Sequence, residues 1–182
     1  LYVANSGGYR VPNYDRTVSV IDLTTFTEIN KIDVAINLHR ITPDNYGNLY
    51  VSSRGDYYHT PSKTFIIDTR TDKVIGEIAD LPNSNMTLCR DSLYVYSNEW
   101  SYISNNWAVS YAIVDTRTKK VVTRNFIKDG TDKNIKVPYG IAVNPNTGDF
   151  FVTDAKDYVS PGTLHCFNKD GIKKWSVTTG DI

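Results

Sequence analysis

Apolar positions in this chain come in short runs, and stretches rich in turn formers separate them. Leu1-Tyr2-Val3 opens the series. The triplet returns as Leu49-Tyr50-Val51, Leu93-Tyr94-Val95 and Phe150-Phe151-Val152. Between the triplets a second unit recurs, two apolar runs around a polar turn. Its clearest copies are Phe65-Ile-Ile-Asp-Thr-Arg-Thr-Asp-Lys-Val-Ile75 and Ala112-Ile-Val-Asp-Thr-Arg-Thr-Lys-Lys-Val-Val122. Val20–Ile29 is a looser copy and His165–Trp175 the most drifted. The runs are β-branched or aromatic, and no segment carries an apolar stripe at helical spacing. The pattern predicts strands nearly throughout and almost no helix.

The triplets stand 48, 44 and 57 residues apart. Repeats of about 40–50 residues with strand signals alone are the mark of propeller blades. Each repeat parses into four strands, A to D. The triplet is strand B and the hairpin unit supplies C and D. In the first repeat B lies near Leu1–Asn5, C near Thr17–Asp22 and D near Glu28–Val34. Strand A precedes the later triplets at Leu38–Thr42, Met86–Cys89 and Tyr139–Asn144. The expected fold class is all-β, with four-stranded antiparallel blades at about residues 1–34, 35–80, 81–127 and 128–182, the first lacking strand A. Asp22, Asp68, Asp115 and Asn168 open the C–D turns, where such side chains accept backbone N–H bonds two residues on. The sequence begins inside a strand with no Met, so it is expected to be part of a larger ring.

The run Leu1-Tyr-Val-Ala-Asn-Ser6, then Val18-Ser-Val-Ile-Asp22, and later Val137-Pro-Tyr-Gly-Ile-Ala-Val143 resembles the surface-layer (YVTN, YncE-like) type of propeller repeat. Tyr50-Val-Ser-Ser53 stands at the same signature strand. The resemblance spans essentially the whole chain and implies a ring of seven blades, of which this would be a little over half. The long Tyr-rich loops are similar to those of lipoproteins on the outer surface of gut Gram-negative anaerobes, some of them corrinoid-capturing beside an outer-membrane transporter. The resemblance therefore implies an extracytoplasmic setting, at the outer surface or in the periplasm. The fourth copy is weak, and repeats one and two lack the Gly-rich lead into strand A.

Composition narrows the function. Lys plus Arg and Asp plus Glu are both 20, giving zero net charge, which argues against a nucleic-acid partner. No run of about 18 apolar residues is present, so no spanning helix is expected. Cys89 and Cys166, with no CxxC, read as small hydrophobes. The A–B and C–D turns are short, whereas the B–C loops are long and hold much of the chain's 13 Tyr and 3 Trp. Tyr and Trp among Asn, Ser and Gly form an adaptable recognition surface. The candidate ligand-binding residues are Tyr9, Arg10, Tyr14, Arg54, Tyr57, Tyr58, His59, Trp100, Tyr102, Trp107 and Tyr158; the alternative is that these rings only pack the rim. Trp100 and Trp107 are expected either to face each other across the loop Ser97–Trp107 or to point together at the channel mouth, unless Trp107 is core. No nucleophile motif, phosphate loop or metal-ligand spacing is found, and no catalytic residue, metal or cofactor is assigned. The reading is a non-enzymatic binding protein for a small molecule or glycan. A protein-interaction propeller and a lactonase- or quinoprotein-like enzyme are the alternatives.

Overall fold

The computed structural model describes residues 1–8, 10–101 and 105–180. They form an all-β chain of the β-propeller type, with 15 strands among the described residues. The strands are β1 (Tyr2–Ala4), β2 (Thr17–Asp22), β3 (Thr27–Asp33), β4 (Leu38–Pro43), β5 (Asn48–Ser53), β6 (Lys63–Asp68), β7 (Lys73–Ile78) and β8 (Asn85–Cys89). They continue as β9 (Ser92–Ser101), β10 (Asn106–Asp115), β11 (Lys120–Thr123), β12 (Pro138–Val143), β13 (Phe150–Asp154), β14 (Thr163–Phe167) and β15 (Lys173–Thr178). The one helical turn among the described residues is the 3-10 segment Thr131–Asn134. Each sheet is an antiparallel meander: β1-β2-β3, then β4-β5-β6-β7, β8-β9-β10-β11 and β12-β13-β14-β15. The first sheet thus has three strands and the others four, as the repeat pattern predicts.

The chain divides into two compact units, one built on β1–β7 and the other on β8–β15. In the first, Val18, Ile32, Leu38, Leu49, Val51 and Ile67 form a buried cluster with Tyr2 and Ile41 packed against it. The second is more aromatic: Tyr96, Tyr111, Phe126, Phe150 and Phe167 are buried together, with Phe150 stacked on Phe167 at 4.9 Å and 13°. Burial falls from the B strand outward. Every residue of β5 is buried, five of six in β7 are exposed, and all of β15 is exposed. A hydroxyl also ties the first two sheets: Tyr2 Oη donates to Asp72 Oδ1 at 2.8 Å. Burial and that carboxylate push the phenol up to about 12.

The C–D turns behave as their sequence dictates. Oδ1 of Asp22, Asp68, Asp115 and Asn168 accepts the backbone N–H two residues on, from Thr24, Arg70, Arg117 and Asp170. All four hairpins also carry a register shift just before that residue, at Val20/Ile21, Ile66/Ile67, Ile113/Val114 and Cys166/Phe167. A left-handed residue completes the first three turns four places past the Asp: Phe26, Asp72 and Lys119. The fourth is one residue shorter and uses Gly171 at φ 85°, where a Cβ would overlap the Phe126 carbonyl oxygen. That contraction explains why the fourth copy reads as drifted.

One expectation changes. The stretch Ser97–Trp107 is largely strand, because β9 runs to Ser101 and β10 starts at Asn106. β9 and β10 are hydrogen-bonded neighbours, and pairing satisfies backbone groups that a free loop would leave to water. Both cysteines are free thiols; Cys166 is buried and Cys89 partly so.

Candidate functional site

The B–C loop after β5 is shaped by its own polar groups. Gly55, at φ 65°, begins the turn, and a Cβ there would overlap the Thr60 carbonyl oxygen. Asp56 closes it: Oδ1 accepts the backbone N–H groups of Tyr58, His59 and Thr60 at 2.9, 2.8 and 2.7 Å, and Oδ2 accepts the Thr60 hydroxyl. These N–H donors hold the Asp56 carboxyl down at about 2. Tyr57 is forced to φ 65°, a left-handed conformation that is costly for a side chain this large. Asp56 thus fixes the backbone that carries Tyr57 and Tyr58.

Asn37 links the surrounding segments. It is buried and left-handed, at φ 53°. Its N–H donates to the Asp15 carbonyl at 2.9 Å, its carbonyl accepts the Arg54 N–H at 3.0 Å, and its side-chain amide donates to the Gly55 carbonyl at 3.0 Å. One residue thus binds the β1–β2 loop and the β5–β6 loop to the head of β4.

Between these segments lies a cavity of about 510 Å³, with Tyr14, Tyr57 and Tyr58 as its rings. His39 and Arg54 supply polar lining, and Ser6, Gly8 and Val11 complete the β1–β2 side, where Val11-Pro12 is a cis peptide. The Arg54 guanidinium stands 2.8 Å from His39 Nε2. A guanidinium only donates, so Nε2 accepts and the ring proton resides on Nδ1. Burial first, then the Arg54 and Arg40 charges, lower the imidazole to about 4. His39 is accordingly neutral at physiological pH, and Arg54 carries the cavity's charge.

Four of the sequence candidates, Tyr14, Arg54, Tyr57 and Tyr58, meet in this cavity. Arg10 instead faces solvent and pairs with Asp15 at 3.2 Å, and His59 is exposed on the turn that Asp56 holds. Tyr9 and Tyr102 lie outside the described residues. Trp100 and Trp107 face each other edge-on across the β9–β10 hairpin, with ring centroids 5.4 Å apart at 67°. Trp107 is 41% exposed and so is not core. Tyr158 packs edge-on against Tyr139 at 6.0 Å. Sequence reasoning missed His39 and Asn37 as site residues. The signal was their place on either side of Leu38, whose register partner Ser53 leads directly into the Arg54 loop.

No protein-family model matches the chain, and no curated protein matches it. Solved structures do. The hydrazine synthase of Kuenenia stuttgartiensis superposes with a TM-score of 0.62 at 16% identity, over 89% of this chain and 47% of that one. A eukaryotic initiation factor matches with a TM-score of 0.43 at 9% identity, covering 90% of this chain and 50% of that one. A quinoprotein alcohol dehydrogenase-like protein from Bacteroides thetaiotaomicron matches with a TM-score of 0.36 at 14% identity, covering 99% and 64%. The chain thus spans about half the length of the first two structures. At these identities the likeness to the hydrazine synthase speaks for the propeller-type fold and says nothing of activity.

Proposed function

We propose that this chain is a non-enzymatic binding protein that captures a small molecule on the loop-rich side of its blades, at the cavity of the second blade. The observation that carries this reading is the cavity itself. Three tyrosines and an arginine from two loops converge on a volume of about 510 Å³, within the roughly 300–1,000 Å³ of ordinary ligand sites. A corrinoid, which the family resemblance suggests, would enter this cavity by one edge only. The same resemblance suggests an extracytoplasmic surface and, as a partner, an outer-membrane transporter.

A glycan is the second reading, favoured by the Trp100–Trp107 pair, whose half-exposed indoles offer a stacking platform in the other unit. Calorimetric titration of corrinoids, aromatic small molecules and oligosaccharides tests both. Tyr58→Ala is expected to weaken small-molecule binding at least tenfold, about 1.4 kcal/mol, with melting nearly unchanged. Sugar binding lost in Trp107→Ala but kept in Tyr58→Ala would favour the glycan. No binding of any probe would overturn the capture reading in favour of a protein partner.

A further inference from the structure

We infer that the second-blade cavity takes a planar organic monocarboxylate, with the Arg54 guanidinium as its anchor, His39 as the residue that positions that guanidinium, and the tyrosines as walls for the ligand's ring. This rests on the capture reading and assigns its ligand class.

The argument begins with what Arg54 lacks. Among the described residues no carboxylate pairs with it, and its only side-chain hydrogen bond is to His39 Nε2. The carboxylates of the two loops that line the cavity are engaged elsewhere. Asp56 accepts three backbone N–H groups and the Thr60 hydroxyl, and Asp15 pairs with Arg10. A guanidinium has five N–H donors, of which one end is used here. The remaining donors form the planar fork that matches a carboxylate's two oxygens. A half-buried cation without a protein counter-ion at a cavity wall is a receptor for an anion.

His39 sets the geometry. Its neutral Nε2 holds one end of the fork, so fewer rotamers must be lost when an anion docks. The environment of the ring agrees with a positive site: only Arg54 and Arg40 act on it through charge, and both disfavour its protonation. Arg40 is exposed and does not line the cavity. One unpaired charge in the cavity favours a monoanion, because a dianion would leave a net negative charge against the rings. Tyr14, Tyr57 and Tyr58 then supply surfaces on which a flat body stacks.

The test is calorimetric titration of the chain with indole-3-acetate, with tryptophol as the uncharged counterpart and with 3-indoxyl phosphate as the dianionic one. Indole-3-acetate is expected to bind at least tenfold tighter than tryptophol. Arg54→Gln should abolish that preference, and Arg54→Lys should keep a part of it, having the charge without the fork. His39→Gln, which retains an acceptor, should preserve the preference, whereas His39→Phe should diminish it with melting unchanged. Equal binding of indole-3-acetate and tryptophol, or a preference that survives Arg54→Gln, would overturn the carboxylate assignment while leaving capture standing. The phosphate binding tenfold tighter than the acetate would overturn it in favour of phosphate esters. No binding by any of the three overturns this assignment, and the wider ligand panel then decides whether capture falls with it.

Discussion

The loops that follow β5 and β13 share one scaffold. Each opens with a left-handed residue, Gly55 or Lys156, and each presents a left-handed tyrosine, Tyr57 or Tyr158. An Asp stands between them in both. Asp157 accepts the N–H groups of Val159 and Ser160 as Asp56 accepts those of its own turn. Both carboxyls are held down at about 2 by those donors. The residue that anchors the loop to the preceding segment differs in chemistry but serves alike. Ser53 donates its hydroxyl to the Ile36 carbonyl and accepts the Gly55 N–H, whereas the buried Asp154 accepts the N–H groups of Val137 and Lys156.

What the two loops hold is different. Register aligns Leu38 with Ser53 and Pro138 with Asp154, so His39 corresponds to Tyr139 and Arg54 to Ala155. In one blade a guanidinium and an imidazole line a cavity with tyrosines. In the other a buried alanine leaves Tyr139 and Tyr158 to pack on each other. The turn is therefore shared scaffold, and the two blades differ in the two residues beside it. A tyrosine in such a loop is not by itself a sign of binding.

The largest expected break in this parallel is at its first residue. Gly55→Ala should cost about 2–3 kcal/mol and erase ligand binding, because its Cβ meets the Thr60 carbonyl. Lys156→Gly at the matching position should be neutral or slightly stabilising, since it relieves a left-handed side chain; thermal unfolding of both variants checks the contrast. Asp56→Ala should come next, removing the acceptor of three backbone donors, at about 1–2 kcal/mol by analogy with helix caps. Below pH 4 the wild type should lose only a part of that contribution, since the carboxyl is exposed and screened by water. A carboxyl depressed from 3.8 to about 2 stabilises the fold fully above 3.8 and loses that contribution as pH falls toward 2.

His39 separates the loops in a milder pH range. Its ring, lowered from 6.5 to about 4, favours the folded state fully above pH 6.5 and progressively less as pH falls to 4. The expected loss is on the order of 1 kcal/mol, since water partly screens the ring. In His39→Gln the slope of melting temperature between pH 6.5 and 4 should flatten, and an unchanged slope would contradict this. The smallest effect belongs to Tyr158→Ala, about 0.5–1 kcal/mol from one edge-on pair at the surface, with ligand affinity of the second-blade cavity unaltered.

Much of this fold was legible in the sequence because its strands are short and period-2, and its turns use side chains with one job. Strand C, expected near Thr17–Asp22, has those bounds in the structure. The long hairpin of β9 and β10 was less legible, since Ser, Asn and Glu between aromatics look like a loop until a partner strand satisfies their backbone. The candidate cavity was half legible. Aromatic loop residues stand out in a sequence, so Tyr14, Tyr57 and Tyr58 were legible as candidates with Arg54. His39 and Asn37 were not, because their roles come from where the A strand enters, and neighbourhood across 15 or 18 residues of chain has no local sequence signal.

The register shift repeated before every C–D turn has a consequence for how these sheets meet other chains. Each shift puts an extra residue into the outermost strand: Ile29, Ile75, Val122 and Lys174 have no partner across the ladder. Those strands end their sheets and carry exposed Ile29, Ile75 and Val122, the kind of margin on which fibrils are seeded. A bulge there bends the strand and breaks the even spacing of N–H and C=O groups that an incoming strand would need. The feature that turns each hairpin is thus also what discourages amyloid-like stacking at its rim, supplied afresh with every repeat.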